Sequence, residues 1–161
     1  MTGLNFYVIT DEYVKYLHNF DNTVVENKDP INRYFDRKYI GVVFELNEFK
    51  YFAPLSSFKN KHRKMKEAID FIKIGTMAVI NLNNMIPVPE GEITYCNIEK
   101  QDDMRYRQLL RNEYDICKHK ENHIIKNAKS LYNKVTNYNS FIAERCCDFK
   151  LLEDKCREWS K

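Results

Sequence analysis

No stretch of this chain approaches the roughly 18 apolar residues needed to span a bilayer, and its first residues lack a basic segment followed by an apolar one. No membrane association is therefore expected, and the protein is read as cytoplasmic. Glycine and proline are scarce, at four each among 161 residues, and no low-complexity run interrupts the chain. With 43% hydrophobic and 30% charged residues the composition is that of a folded protein, which sets disorder aside. A chain of this length can bury one core of its own, so residues 1–161 are expected to form a single domain.

The cysteines also lack a pattern. Cys96, Cys117, Cys146, Cys147 and Cys156 are odd in number, two are adjacent, and none has the Cys-x-x-Cys spacing of a structural zinc site. A disulfide framework is not expected, and a reducing compartment fits. His119 and His123 lie four apart near Cys117, but where one helix should end and another begin, so they are read as solvated. No metal site and no cofactor are expected.

What the chain has is charge, unevenly placed. The net charge is only +3, yet Arg33 to Lys73 carry ten Lys or Arg against five acids, and Lys118 to Lys134 carry five Lys against Glu121 alone. The first thirty-one residues are acidic, with Asp11, Glu12, Asp21, Glu26 and Asp29 against Lys15 and Lys28. Regional positive charge of this kind is the footprint of a polyanion site.

Periodicity divides the chain in two. Leu4, Phe6 and Val8 alternate with Asn5, Tyr7 and Ile9 as in a strand, and Thr10 is placed to cap a helix carrying Tyr13, Tyr16, Leu17 and Phe20. Asp21 to Arg37 has turn chemistry and no period, which predicts a long loop. Tyr39–Leu46 and Phe49–Leu55 form a hairpin across Asn47-Glu48, and Phe71–Ile74 and Met77–Leu82 form another across Gly75-Thr76. Glu92–Cys96 reads as a further short strand. Beyond it the period becomes helical: Tyr106, Leu109, Leu110, Tyr114 and Cys117 mark one helix, Ile124 to Val135 a second, and Leu151, Leu152, Cys156 and Trp159 a third. Strands early and helices late give an α+β fold, a sheet with helices against it. Tyr13, Tyr16, Phe20, Phe44 and Trp159 are assigned to packing by their spacing, whereas Phe58 and Tyr34 sit in polar surroundings and are candidates for stacking on bases.

The chemistry is concentrated in Pro54-Leu55-Ser56-Ser57-Phe58-Lys59-Asn60-Lys61-His62-Arg63-Lys64-Met65-Lys66. Directly after a hairpin strand, two hydroxyls, a histidine and five cations supply phosphate ligands and proton-transfer groups. By composition alone a plain solvated loop fits equally well.

Tyr51-Phe52-Ala53-Pro54-Leu55-Ser56-Ser57-Phe58-Lys59 followed by His62 resembles the Tyr-Leu-Ala-Pro-Leu-Thr-Ser-Pro-Lys segment of the endoribonuclease toxins of type III toxin–antitoxin systems, the ToxN and AbiQ toxins. Phe6-Tyr7, Tyr16-Leu17, Ile40-Gly41-Val42-Val43, Ile80-Asn81-Leu82, Met85-Ile86-Pro87 and Cys147-Asp148-Phe149-Lys150-Leu151-Leu152-Glu153 follow in the family's order, so the resemblance covers nearly the whole chain. It implies a compact, twisted antiparallel β-sheet partly wrapped by helices, like that of Kid and MazF. It also implies a metal-independent, sequence-specific endoribonuclease in phage defence that leaves 2′,3′-cyclic phosphate and 5′-hydroxyl ends. Such a toxin processes its own antitoxin RNA repeats, is inhibited by the resulting pseudoknot, assembles with it into a toxin–RNA oligomer, and otherwise cuts cellular RNA.

By that resemblance the catalytic residues are Ser57, Lys59 and Arg37, with Tyr34 as the upstream tyrosine, although Asn32 or Arg33 could hold that register instead. Ser56 keeps the hydroxyl of the family's threonine and Phe58 replaces its proline. Arg37 and Lys59 would stabilise charge on the phosphorane, Ser57 would position the phosphate or the 2′-hydroxyl, and His62 or Tyr34 would move protons, His62 equally fitting a plain phosphate contact. Ser56, Phe58, Arg33, Lys38, Lys61, Arg63, Lys64, Lys66, Lys118, Lys126 and Lys129 are the expected RNA contacts. The competing expectation is a catalytically silent RNA-binding module, which needs the same charges but not Ser57.

Overall fold

The computed structural model describes residues 3–27, 36–137 and 141–159. The expected contacts Arg33 and Tyr34, and the alternative Asn32, lie outside these residues. The element order is β1 (Asn5–Ile9), α1 (Asp11–Phe20), β2 (Tyr39–Leu46), β3 (Phe49–Ser57), α2 (Asn60–Lys64), β4 (Phe71–Ile74), β5 (Ala78–Asn81), β6 (Ile86–Pro87), β7 (Ile93–Tyr95), α3 (Met104–His119), α4 (Glu121–Asn137) and α5 (Phe149–Glu158). The strands make one antiparallel sheet in the order β4-β5-β3-β2-β1-β7, with β6 joined to β3. This is the α+β architecture read from the strand-to-helix switch.

The hairpin β2–β3 is the axis of the sheet. Its turn places Asn47 at φ 54°, a left-handed conformation that asparagine tolerates better than most side chains. The first part of β3 pairs with β2 from Leu46↔Phe49 to Tyr39↔Pro54. Its last residues, Leu55 to Ser57, pair with β5 instead. Gly41 lies opposite Phe52 in the register, and a Cβ there would come within 2.2 Å of the Phe52 ring. Only glycine lets that buried ring lie flat on the neighbouring strand.

Register puts Phe6, Ile40, Ala53 and Tyr51 on one face of the sheet, and the late helices cover it. Tyr114 of α3 meets Phe6 edge-on at 5.8 Å. Tyr132 of α4 and Phe149 of α5 stack on each other, each at 5.7–5.8 Å from Tyr51 or its partner ring. Both α3 and α5 begin on an aspartate: Asp103 accepts from the Tyr106 N–H at 2.9 Å and Asp148 from the Leu151 N–H at 3.2 Å. Trp159 closes the C-terminal end against Tyr13 and Tyr16.

Four local expectations are corrected. Thr10 precedes α1 but makes no side-chain cap; its hydroxyl donates to Glu92 Oε1 at 2.6 Å, a bond to a carboxylate that outcompetes a neutral amide. Phe20 packs edge-on against Tyr16 at 5.3 Å as its spacing predicts, but at the surface: it is 46% exposed, with the Lys155 ammonium over its ring at 4.2 Å. Leu109 leaves the apolar stripe of α3 and faces a cleft. The segment after β3 is not all loop, since Asn60–Lys64 makes a turn and more of helix.

Candidate active site

The site is set by where β2 begins. Lys38 is the residue before it, so β3 loses its β2 partner after Pro54, and the backbone of Leu55 is completed by the preceding chain instead. Leu55 N–H donates to the Lys38 carbonyl at 3.0 Å, and the Leu55 carbonyl accepts from Arg37 Nη1 at 2.9 Å. Arg37 thereby takes the position a paired strand would occupy. The same Nη1 reaches Ser56 Oγ at 3.1 Å, and Nε donates to the Glu26 carbonyl at 2.7 Å. Its Nη2 makes no hydrogen bond among the described residues.

Arg37 itself is held from Asn27. Its N–H donates to the Asn27 carbonyl at 3.0 Å. Buried Asn27 donates to the Ile9 carbonyl and to Asp11 Oδ1, each at 2.7 Å, and accepts from Tyr39 Oη at 2.9 Å. Buried polar groups satisfied in this way fix a backbone as firmly as a strand pair.

Ser56 Oγ accepts twice, from Arg37 and from Asn81 Nδ2 of β5 at 2.9 Å. A hydroxyl has two acceptor positions and one proton. With both acceptor positions filled, Ser56 is left to donate, which suits an incoming anion and not the role of a base. Leu55 and Ser57 extend from β3 to the face that carries Ala53 and Tyr51, toward α3. Together Arg37, Ser56 and Ser57 line one cleft with Met77, Tyr106, Leu109 and Glu113.

Lys59 and His62 are not among the cleft's lining residues. Lys59 is exposed at the start of α2. His62 is buried between Phe58 and Phe71, each ring 5.5 Å from its own. Its Nδ1 accepts the Lys59 N–H at 2.7 Å, and its own N–H donates to the Lys59 carbonyl at 2.9 Å. Burial, then the charges of Lys61, Lys59 and Lys73, hold the imidazole below the usual histidine range. The ring is therefore neutral at pH 7, with its proton on Nε2, and it fixes the backbone of Lys59.

The expected polyanion contacts divide. Lys61, Arg63, Lys64 and Lys66 are exposed on and after α2, with Arg63 over the Phe58 ring at 5.7 Å. Lys126 and Lys129 are exposed on α4. Lys118 is engaged by Glu121 at 3.1 Å. Lys38 is not a surface lysine: it is buried, donates to the Asp36 carbonyl at 2.9 Å and lies 5.2 Å from the Tyr106 ring centroid. Burial lowers its pKa, against the raising effect of Cys96, Asp36 and Glu113. Two acids counted against the first basic region are spoken for from outside it, Glu67 by Lys120 at 2.9 Å and Asp70 by Arg145 at 2.6 Å. Lys120 also donates to the Lys73 carbonyl at 2.8 Å, joining the two basic regions at one place. Among the described residues no group of three or more His, Cys, Asp or Glu gathers to hold a metal ion. No helix of the described residues is long and apolar enough to cross a membrane.

Sequence reasoning missed Asn81 and Glu113. Glu113 falls between Leu110 and Cys117 on the inner stripe of α3, so an acid at an apolar position was the signal available. Burial pushes its carboxyl up to about 7, with Lys38 pulling the other way. A carboxyl whose folded pKa lies above its unfolded value of 4.5 contributes stability that is full below 4.5 and lost as the pH rises through 7. Relative to Glu113→Gln, the wild-type protein should therefore be more stable at pH 4.5 than at pH 8 by about 3 kcal/mol. Urea unfolding of both proteins across that range measures the difference, and a pH-independent gap would show that Glu113 stays ionised throughout.

Comparison with known proteins identifies the family of the chain. A family model described as Toxin ToxN, type III toxin-antitoxin system, matches residues 5–157. The chain is 32% identical to an Endoribonuclease ToxN of Bacillus thuringiensis subsp. kurstaki, covering 97% of this chain and 84% of that protein. It is 29% identical to an Endoribonuclease ToxN of Pectobacterium atrosepticum, over 98% and 95%. Among solved structures, one concerned with selective toxin inhibition by a non-coding RNA pseudoknot superposes with a TM-score of 0.83 at 29% identity, over 98% of both chains. The structure of AbiQ, a lactococcal anti-phage endoribonuclease, superposes with a TM-score of 0.81 at 27% identity, again over 98% of both.

Proposed function

The chain belongs to the ToxN family of type III toxin–antitoxin toxins, and on that premise we propose that it is an endoribonuclease that cuts single-stranded RNA by internal attack of a ribose 2′-hydroxyl, without a metal cofactor. Its partner is the antitoxin RNA of such a system, which it processes into repeats and which in turn blocks the cleft. Cellular RNAs are its other substrates, and the antitoxin RNA links several toxin copies into one assembly.

The observation that carries this reading is the bridge from Arg37 Nη1 to the Leu55 carbonyl and Ser56 Oγ, which leaves a guanidinium N–H edge and a donating hydroxyl at one cleft beside Ser57. In the reaction the O2′ proton is removed, the O2′–P bond forms, the P–O5′ bond breaks and O5′ takes up a proton. Charge on the non-bridging oxygens rises on the way. Fixed cations and donors aimed at that charge are the largest single source of rate in sites of this kind. Arg37 and Ser56 hold the phosphate, Lys59 supplies the second positive charge, and Ser57 positions the attacking group. His62 acts on the backbone of Lys59, and proton transfer keeps Tyr34 as its candidate. Lys61, Arg63, Lys64, Lys66, Lys126 and Lys129 hold the flanking RNA.

The test is cleavage of a repeat-containing transcript in excess EDTA, with the 3′ ends examined before and after phosphatase treatment by polynucleotide kinase. Cutting should persist, and the ends should accept a poly(A) tail only after treatment. An RNA that is bound but never cut would establish the silent module, and cutting that EDTA abolishes would overturn the metal-free chemistry.

A further inference from the structure

A second concavity adjoins the cleft and shares Asp36 and Lys38 with it. Its wall is built by β7 and the turn of helix that follows, through Tyr95, Asn97, Lys100 and Gln101. We propose that this hollow is a base-reading subsite, which takes the nucleobase next to the scissile phosphate and makes cleavage depend on its identity. The inference rests on the endoribonuclease reading above.

Three observations carry it. The first is position: the hollow shares Asp36 and Lys38 with the cleft that Arg37 and Ser56 line, so a nucleotide next to a phosphate held there lies beside it. The second is the aromatic. Tyr95 lies at the end of the sheet on β7, which among the described residues pairs with β1 alone; it is 57% exposed and its ring is steadied edge-on by Tyr7 at 6.1 Å. A large exposed ring on a rigid strand is a stacking platform for an unstacked base. The third is the pair of carboxamides. Asn97 spends its Oδ1 on the Glu99 N–H at 3.1 Å, and Gln101 directs its Nε2 at Cys96 Sγ at 3.8 Å. Asn97 Nδ2 and Gln101 Oε1 make no hydrogen bond among the described residues, so the two side chains bring one uncommitted donor and one uncommitted acceptor to the hollow's lining. Each base's Watson–Crick edge sets a donor beside an acceptor, in one order in A and C and the reverse order in G and U, so a donor and an acceptor held in fixed order favour one of the two pairs. Lys100 is exposed at the rim and pairs with no described residue, which places a cation for the next phosphate.

The alternative is an ordinary solvated dent in the surface. Cleavage of a randomised single-stranded RNA library by the full-length protein separates the two, with every cut end sequenced for wild type, Gln101→Ala and Tyr95→Ala. Wild type should show a strong nucleotide preference at one position beside the cut. Gln101→Ala should weaken that preference about tenfold or more while cutting continues at newly permitted sites, and Tyr95→Ala should slow cutting and relax the same position. Far-UV circular dichroism of both variants should match wild type, since neither residue is buried. An unchanged preference at every position overturns the subsite, as does a uniform loss of cutting that leaves the preference intact. Failure of wild type to cut any RNA would instead overturn the endoribonuclease reading, and the subsite with it.

Discussion

Ser57→Ala and Lys59→Ala should each cut the rate of RNA cleavage by about a hundred- to a thousandfold, on the order of the 2.7–4 kcal/mol lost when one preorganised donor is removed from an active site. Both should fold as wild type does, because Lys59 is exposed and Ser57 only half-buried on the last residue of β3. Affinity for one processed antitoxin repeat should change by no more than a few-fold. That RNA spreads its contacts over Lys61, Arg63, Lys64, Lys66 and the exposed lysines of α4, so one hydroxyl or one charge is a small share of the total. The transition state has no such reserve. Cleavage of a long transcript and binding of a single repeat, measured on the same preparations, check the separation. A Ser57→Ala protein cutting at near wild-type rate would remove this cleft as the site. Arg37→Ala is the poorer probe, because the same guanidinium completes the backbone of Leu55 and holds the loop at Glu26. Its loss would move the scaffold and the charge together.

That entanglement also marks the limit of what the sequence disclosed. The β2–β3 hairpin was legible because two turn residues separate two β-rich runs, and the late helices because their apolar residues recur at helical spacing. The middle of β3 was legible only as a strand of unknown facing. Tyr51 to Leu55 are all buried, so no alternation records which side meets the helices. The motif that carries Ser56 and Ser57 is local and was found by its residues. What completes it is not local: Asn81 reaches Ser56 from 25 residues away, and the buried Lys38 and Glu113 face one cleft from different halves of the chain. A lysine beside a strand reads from composition as surface charge, and only the packing of Tyr106 over it reveals otherwise. His62 shows the same effect in reverse, since an apparent proton carrier in a basic run is a buried brace between two phenylalanines.

The largest loss of stability should come at Glu153 of α5, which meets β3 at Tyr51, toward the strand's opposite end. This carboxylate is 4% exposed and accepts on Oε2 from the hydroxyls of Tyr51 and Tyr132, each at 2.6 Å. Tyr51 belongs to β3, Tyr132 to α4 and Glu153 to α5, so one acceptor atom ties the central strand to both helices packed on it. Lys150 supplies the only cation among the described residues within ion-pair range, at 3.7 Å from Oε1. Removing one partner from a buried charged network costs far more than the bond itself contributes, because the groups left behind stay desolvated and unpaired. Glu153→Ala strands two tyrosine hydroxyls in this way and opens a void beside the stacked rings of Tyr132 and Phe149. The expected cost is on the order of 3–5 kcal/mol, a fall in Tm of about 10 °C for a chain of this size. Glu153→Gln keeps an oxygen where Oε2 stands and should cost only about 1 kcal/mol. The active cleft lies beyond Pro54, on the part of β3 that pairs with β5. The fraction of Glu153→Ala that remains folded at low temperature should therefore cut RNA at the wild-type rate per folded molecule, the reverse of the signature expected for Ser57→Ala. Thermal unfolding together with cleavage at 15 °C measures both, and equal losses in glutamine and alanine variants would show that charge, not the shared acceptor, holds these three elements together.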